Sequence, residues 1–352
     1  MRSHRSGIVY AIAAAALFGA STPFAKNLLG DIRPILLAGL LYAGSGLGLG
    51  FWIALRKLRG AARAEASLSP RDLPWLAGAV LAGGVLGPVL LMLGLVRTPA
   101  STASLLLNLE SVLTAVIAWV VFRENVDRRI LLGMLSIVAG GVLLSGDPHS
   151  AGASIWGVLG ISGACLCWAI DNNLTRAVSG GDPVEIAAIK GGAAGLVNIS
   201  LALTLGSAWP PLSSTAAAAL IGLFGYGVSL VLFVFALRHL GTARTGAYFS
   251  TAPFVGATLS LLLLHEIPSL AWWIAGGLMA LGVWLHVSER HEHEHTHEPL
   301  EHTHRHVHDE HHQHGHDFAW DGTEPHMHFH RHASITHRHP HFPDLHHRHR
   351  HS

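Results

Sequence analysis

Three charged side chains lie where the sequence is otherwise apolar: Glu110, Asp171 and Lys190. Glu110 is about eleven residues from either end of an apolar run over 99–121. Asp171 comes about six residues before the end of a run over 154–177, and Lys190 about six after the start of a run over 184–206. A charge isolated at mid-membrane costs at least about 2.5–3.5 kcal/mol, so such groups are kept to pair, to carry protons or to meet a charged solute. At 1.5 Å per residue, Asp171 and Lys190 each sit roughly 9 Å deep on consecutive runs. That matched depth predicts an ion pair lining the inner part of a cavity that reaches Glu110. The competing expectation is an inert pair locking two helices. Polar residues gather nearby: Asn172 and Asn173 follow Asp171, while Asn108, Ser111 and Thr114 flank Glu110. Ser21-Thr22-Pro23 interrupts the first run, where proline removes a backbone donor and predicts a kink. Polar interruptions at related places in two halves point to a binding site. The expected translocation residues are Glu110, Asp171, Lys190, Asn172, Asn108, Thr22 and Pro23.

A second chemistry lies at the far end. From 289 onward the pattern is H-x-H: His291, His293, His295 and His297, then His302, His304, His306 and His308. His311, His312, His314 and His316 continue it, followed by His326, His328, His330 and His332. Five of the 28 histidines precede 289, which leaves 23 in 289–352. An exposed imidazole, with a pKa of about 6.5, is mostly neutral at pH 7. Neutral imidazoles ligate Zn, Ni, Co and Cu ions, so the tail is expected to bind such ions. Charged residues are interspersed and apolar ones are few, which predicts disorder over 289–352. The competing expectation is a low-complexity extension that meets metal only incidentally.

The elements that must position the three charges are membrane spans. Half of the 352 residues are apolar and 13% are charged, and the charges cluster outside long apolar runs. About 20 apolar residues cross a bilayer core of about 30 Å. Ten runs meet that length: 7–29, 33–55, 73–96, 99–121, 129–146, 154–177, 184–206, 215–237, 242–264 and 269–287. Their short connections predict one all-α bundle, since lipid leaves no partner for an open sheet. With the N-terminus inside, cytoplasmic segments hold 13 Lys and Arg, and the outer ones hold only Lys26, Arg33 and Arg97. Positive charge accumulates on the cytoplasmic side. We therefore expect both termini in the cytoplasm and the chain in an inner or plasma membrane. The MRSHRS start resembles a signal sequence, but the run behind it is full length, so an uncleaved first span is expected.

The chain also repeats itself. TPASTASLLLNLESVLTAVIAWVVFRE at 98–124 lies, 142 places on, over LGTARTGAYFSTAPFVGATLSLLLLHE, and Gly140 falls on Gly282. Two units follow, 7–146 and 154–287, with five spans each. An odd number of spans makes the second unit enter from the opposite side. Inverted repeats place a solute site near midplane, where the units meet. Glu124 and Glu266 end the repeated runs beside Arg123 and His265, where an interfacial charge pair is expected. Pro253 predicts a kink in the ninth span.

Other features have plainer meanings. Cys165 and Cys167 lie inside an apolar run, without a zinc-ribbon spacing, and are expected in the core. GSGLGLG at 44–50, Gly191, Gly195 and GGLMALG at 276–282 predict close helix packing; the first lacks the context of a nucleotide loop. There is no nucleophile motif, no H-E-x-x-H and no phosphate loop. We expect no enzyme, no required cofactor, no nucleic-acid partner and no ATP drive within the chain.

ALFGASTPFAK in the first span and LLGMLSIVAGGVLL after the repeated run carry a resemblance, as does ALRHLGTARTGAYFSTAPFVGATLSLLLLHE in the second half. They resemble the EamA type of the drug/metabolite transporter superfamily over about 8–287. The resemblance implies ten helices in two repeats and a small-metabolite substrate; it supplies no signature residue, and the tail lies outside it. The expected function is secondary transport of a small organic solute by alternating access, with proton coupling through Glu110 and a metal-binding cytoplasmic tail. The alternatives are a divalent metal exporter fed by the tail, or a membrane-tethered metal buffer or sensor. The lipid bilayer, the solute and tail-bound divalent ions are the expected partners. The pattern leaves substrate and direction open, and a homodimer remains an option.

Overall fold

The computed structural model describes residues 2–59, 70–122, 128–146, 154–178, 181–240, 242–288, 292–296, 300–306, 326–332 and 336–340. Among the described residues, nine helices are long and apolar enough to cross a membrane. The shorter Ala252–Leu264, preceded by Thr242–Phe249, occupies the place of the ninth expected span. The starts follow local chemistry. Pro34 and Pro183 open the second and seventh spans, where proline's missing N–H costs nothing. Asp182 accepts from the Val184 amide at 2.8 Å, and Ser269 accepts from the Trp272 amide at 3.1 Å.

The backbone stays helical through both polar interruptions. The first span, Arg2–Leu28, runs unbroken through Pro23, and the sixth, Ile155–Val178, through Asn172 and Asn173. Pro23 frees the carbonyl of Gly19, and that oxygen lies against Gly256, where an added Cβ would come within 2.7 Å.

The breaks fall elsewhere. The fourth span splits into Ala100–Leu106 and Leu109–Phe122, with i→i−3 bonds from the Asn108 amide to Leu105 and from the Glu110 amide to Leu107. The ninth splits before Ala252, with the Thr251 amide bonded to Tyr248. Asn108 and Ser250 are 142 places apart, the repeat offset. Pro253 sits in the first turn after the second break, where it is tolerated. The third and eighth spans carry π-helical segments, Val80–Leu86 and Leu223–Val228, again at matching places.

Packing interleaves the two halves. The first span lies against the eighth and ninth, and the sixth lies against the third and fourth. The second and seventh pack side by side, as do the fifth and tenth. A Cβ on Gly46 would stand 2.2 Å from the Gly192 nitrogen, and one on Gly195 2.5 Å from the Ala43 nitrogen. Small residues are therefore required at the central crossing. Cys165 is buried in the core, as expected, whereas Cys167 is only half-buried on the same helix; both are free.

The spans alternate in direction, which defines two faces. One, the N-terminal face, carries the ends at Leu58, Val178 and Leu240. The opposite face carries Leu28, Val96 and the start at Ala100. Toward the opposite face the bundle is filled by Leu36, Leu37, Leu91, Met92, Leu95, Leu105 and Leu106, all almost fully buried.

Beyond the bundle, where sequence predicts no regular structure, the described backbone forms four short strands. Glu292–Thr296 pairs with Thr336–Pro340, and Leu300–His306 with His326–His332, both antiparallel. The H-x-H alternation has the two-residue period of a strand. Of the expected metal ligands, His293, His295, His302, His304 and His306 lie in these strands. His291, His297, His308, His311, His312, His314 and His316 lie outside the described residues.

Candidate functional site

A cavity of about 90 Å³ opens between the two halves. On the same measure one water occupies roughly 10–15 Å³, so the space suits a small solute. Lys190 and Asp171 form its charged wall. The Lys190 ammonium donates to both oxygens of Asp171, at 2.6 and 2.8 Å, and to the Thr175 hydroxyl at 3.1 Å. Thr175 donates to Asp171 at 2.8 Å, so the carboxylate meets three polar contacts while only 7% of the residue is exposed. Across the cavity Asn172 donates its amide to Glu110 at 2.8 Å. Asp171 and Asn172 sit seven and six residues from the end of the sixth span, and Lys190 seven from the start of the seventh. Phe233 and Phe249 line the cavity seven residues from the ends at Leu240 and Thr242. At 1.5 Å per residue the cavity begins about 10 Å inside the N-terminal face and extends to Glu110 near mid-depth.

The π segment in the third span builds part of this wall. A π turn frees carbonyls from the helical ladder. Gly83 offers its oxygen to the Tyr42 hydroxyl at 2.8 Å and to the Trp168 ring nitrogen at 2.9 Å. Gly84 accepts from Asn198 at 3.1 Å. An added Cβ at Gly83 would sit 1.9 Å from the Asp171 carboxylate, so glycine there lets the acid lie against the segment. Tyr42, Trp168, Tyr226 and Phe18 form an aromatic wall, with Phe18 edge-on to both Trp168 and Tyr226. None of these aromatics stands out in the sequence, because each is one ring on its own helix.

The cavity brings together Glu110, Asp171, Lys190 and Asn172, and leaves out Asn108, Thr22 and Pro23. Asn108 lies in the break of the fourth span, bonded to the Leu105 carbonyl at 3.0 Å, its own side-chain oxygen unpartnered. Thr22 is buried among helices. Among the described residues of the helical bundle, no group of three His, Cys, Asp or Glu is placed to hold a metal.

The opposite face is closed by a clamp on the turn between the third and fourth spans. Lys26 donates to the carbonyls of Leu95 and Thr98, at the end of one helix. Glu266 accepts from the amides of Ala100 at 2.7 Å and Ser101 at 2.9 Å, at the start of the next. A cation on C-terminal carbonyls and an anion on N-terminal amides are each favoured by the helix dipole. Glu266 therefore caps a neighbouring helix, where sequence expects a charge pair with His265. His265 adopts a left-handed backbone, φ 52°, at the end of the ninth span. Glu124 lies outside the described residues. On the N-terminal face Arg56 pairs with Asp182 at 2.8 Å.

The EamA-like transporter family matches twice, over residues 5–146 and 155–288. The chain belongs to that family. Relatives agree with a membrane transporter. A Methanothermobacter thermautotrophicus protein described as an uncharacterized transporter is 28% identical over 293 residues, 79% of this chain and 85% of that one. A Streptantibioticus cattleyicolor protein described as a probable terminal-alkyne amino-acid exporter is 27% identical over 217 residues, 61% of this chain and 73% of its own. A solved crystal structure superposes with a TM-score of 0.60 at 21% identity, over 81% of this chain and 95% of the other, a likeness of fold. This EamA-like chain is thus an integral membrane transporter.

Proposed function

We propose that the chain moves a small zwitterionic or anionic organic solute by alternating access between two inverted five-span units, with both termini cytoplasmic. What carries this reading is the Asp171–Lys190 pair sharing one seam cavity with Glu110 and Asn172. A fixed cation inside the cavity attracts a solute carboxylate and repels a divalent metal ion. Glu110, held by Asn172 on the other side of the cavity, suits an amino group. The aromatic wall suits an apolar side chain. An amino-acid-like solute fits all three, and a relative's description as an amino-acid exporter agrees. The tail would be a cytoplasmic appendage binding Zn, Ni, Co or Cu ions, with metal export the rival reading.

Glu110 would couple transport to protons, as the carboxylate nearest mid-depth in the cavity. Replacing it with Gln keeps a hydrogen-bonding side chain of similar shape beside Asn172 and removes the titrating proton. In proteoliposomes loaded with candidate amino acids, Glu110→Gln is expected to retain solute exchange within about threefold. Accumulation driven by an imposed pH gradient should fall at least tenfold. Equal loss of exchange and accumulation would remove the coupling role.

A further inference from the structure

We propose that the tail holds a divalent transition-metal ion between facing histidine pairs of its antiparallel strands, centred on His302, His304, His328 and His330. This rests on the metal-binding tail of the proposed function and gives it a site. The two strand pairs share a single register. Glu292 faces Pro340 and His306 faces His326, and in every facing pair the residue numbers sum to 632. The outer and inner ladders therefore share one register.

That register sets histidine against histidine five times: 293 with 339, 295 with 337, 302 with 330, 304 with 328, and 306 with 326. The match survives a change of phase. In the first arm the strand histidines are odd-numbered up to His295 and even-numbered from His302. In the second arm they are even-numbered up to His332 and odd-numbered from His337. Both arms switch at the same place in the pairing, so the facing pairs are kept on both sides of it. A tail selected only for histidine content has no reason to switch in step.

Facing residues have Cβ atoms roughly 4.5–5.5 Å apart, and residues two apart share a face. Two adjacent facing pairs therefore place four histidine positions in one patch. Zn takes four ligands tetrahedrally, with imidazole nitrogens at about 2.0–2.1 Å. Ni and Cu ions also accept imidazole. The alternate positions are not histidines: Glu301 faces Arg331 and Thr303 faces Phe329. A lone two-stranded ladder is marginal in water, and an ion bound only by the ordered form stabilises it. Ion and ladder are then one coupled unit.

The test uses the full chain in detergent, titrated with Zn²⁺ against a chromogenic chelator. Replacing His302, His304, His328 and His330 together by Ala should weaken the tightest class of sites at least tenfold. Replacing His308, His311, His312 and His314, the same number beyond the described strands, should change it less than twofold. Zn²⁺ should also slow amide exchange in 300–306 and 326–332 of the unaltered chain. Equal weakening by both quartets, or unchanged exchange, would overturn the paired site and leave a tail that binds by composition. Zn²⁺ binding no tighter than that of a chain stopped at Ser288 would overturn the metal-binding tail itself.

Discussion

Lys190→Met should abolish transport and also lower the thermal stability of the bundle, while adding Asp171→Leu should restore the stability and not the transport. Removing one member of a buried ion pair leaves an uncompensated charge, at a cost of about 3–5 kcal/mol. Lys190 and Asp171 are 4% and 7% exposed, and the ammonium has Asp171 and Thr175 as its hydrogen-bond partners. Apolar residues at both positions remove both charges, which is often neutral or stabilising. A pair that merely locks the sixth span to the seventh would therefore be replaceable by the double substitution. A pair that meets solute would not, because the cavity would lose its cation and one of its two acids. We expect at least a hundredfold loss of transport in both variants, with the melting temperature reduced only in the single one. Transport recovering with stability in the double variant would assign the pair to architecture.

The second large effect concerns the clamp. Glu266→Ala should open the bundle toward the face that carries Lys26. In the present state the cavity lies nearer the N-terminal face, and the other half is filled by buried leucines. Alternating access requires a second state in which that filled half parts. Glu266 and Lys26 hold the turn at 95–101 from two different spans, through bonds that would break in that second state. Hydrogen bonds to a charged group contribute about 1.5–3 kcal/mol, and 1.4 kcal/mol is tenfold in an equilibrium. Partial exposure at the membrane surface favours the lower end. The reporter is Ser104→Cys, a near-isosteric change at a fully buried position facing Gly256, in a background with Cys165 and Cys167 replaced by Ala. A membrane-impermeant thiol reagent added at the Lys26 face should label it about tenfold faster with Glu266→Ala. Lys26→Met should act in the same direction. Unchanged labelling in both would mean that the clamp only caps helices.

How much of this was legible in the sequence depended on the kind of physics involved. Hydropathy fixes spans, because each must supply a bilayer's length of apolar residues, and an exposed charge at mid-depth is costly. Glu110, Asp171 and Lys190 were therefore visible, and so was the matched depth that brings the last two to 2.6 Å. Backbone irregularity was not visible. Apolar composition carries no signal for the breaks at Asn108 and Ser250 or for the π segments, which depend on where carbonyls find other partners. Ser21-Thr22-Pro23 looked like a break because proline removes a donor, yet Gly256 lets a neighbouring helix cover the freed carbonyl. The wall of Tyr42, Trp168 and Tyr226 is assembled from three helices and depends on their rotation. Glu266 bonds two amides 165 and 166 residues away, a partnership its own neighbours do not announce.

The central claim is that a solute sits in the seam cavity while it is carried, and protection against a thiol reagent tests it most directly. In the same Cys-replaced background, Ser229→Cys lines the cavity and Leu201→Cys faces outward on the seventh span. With the solute that supports exchange in proteoliposomes, labelling of Ser229→Cys should slow at least fivefold and saturate at the concentration that half-saturates transport, with Leu201→Cys unaffected. A solute that is transported while leaving Ser229→Cys labelling unchanged would place its path elsewhere in the bundle and contradict the account.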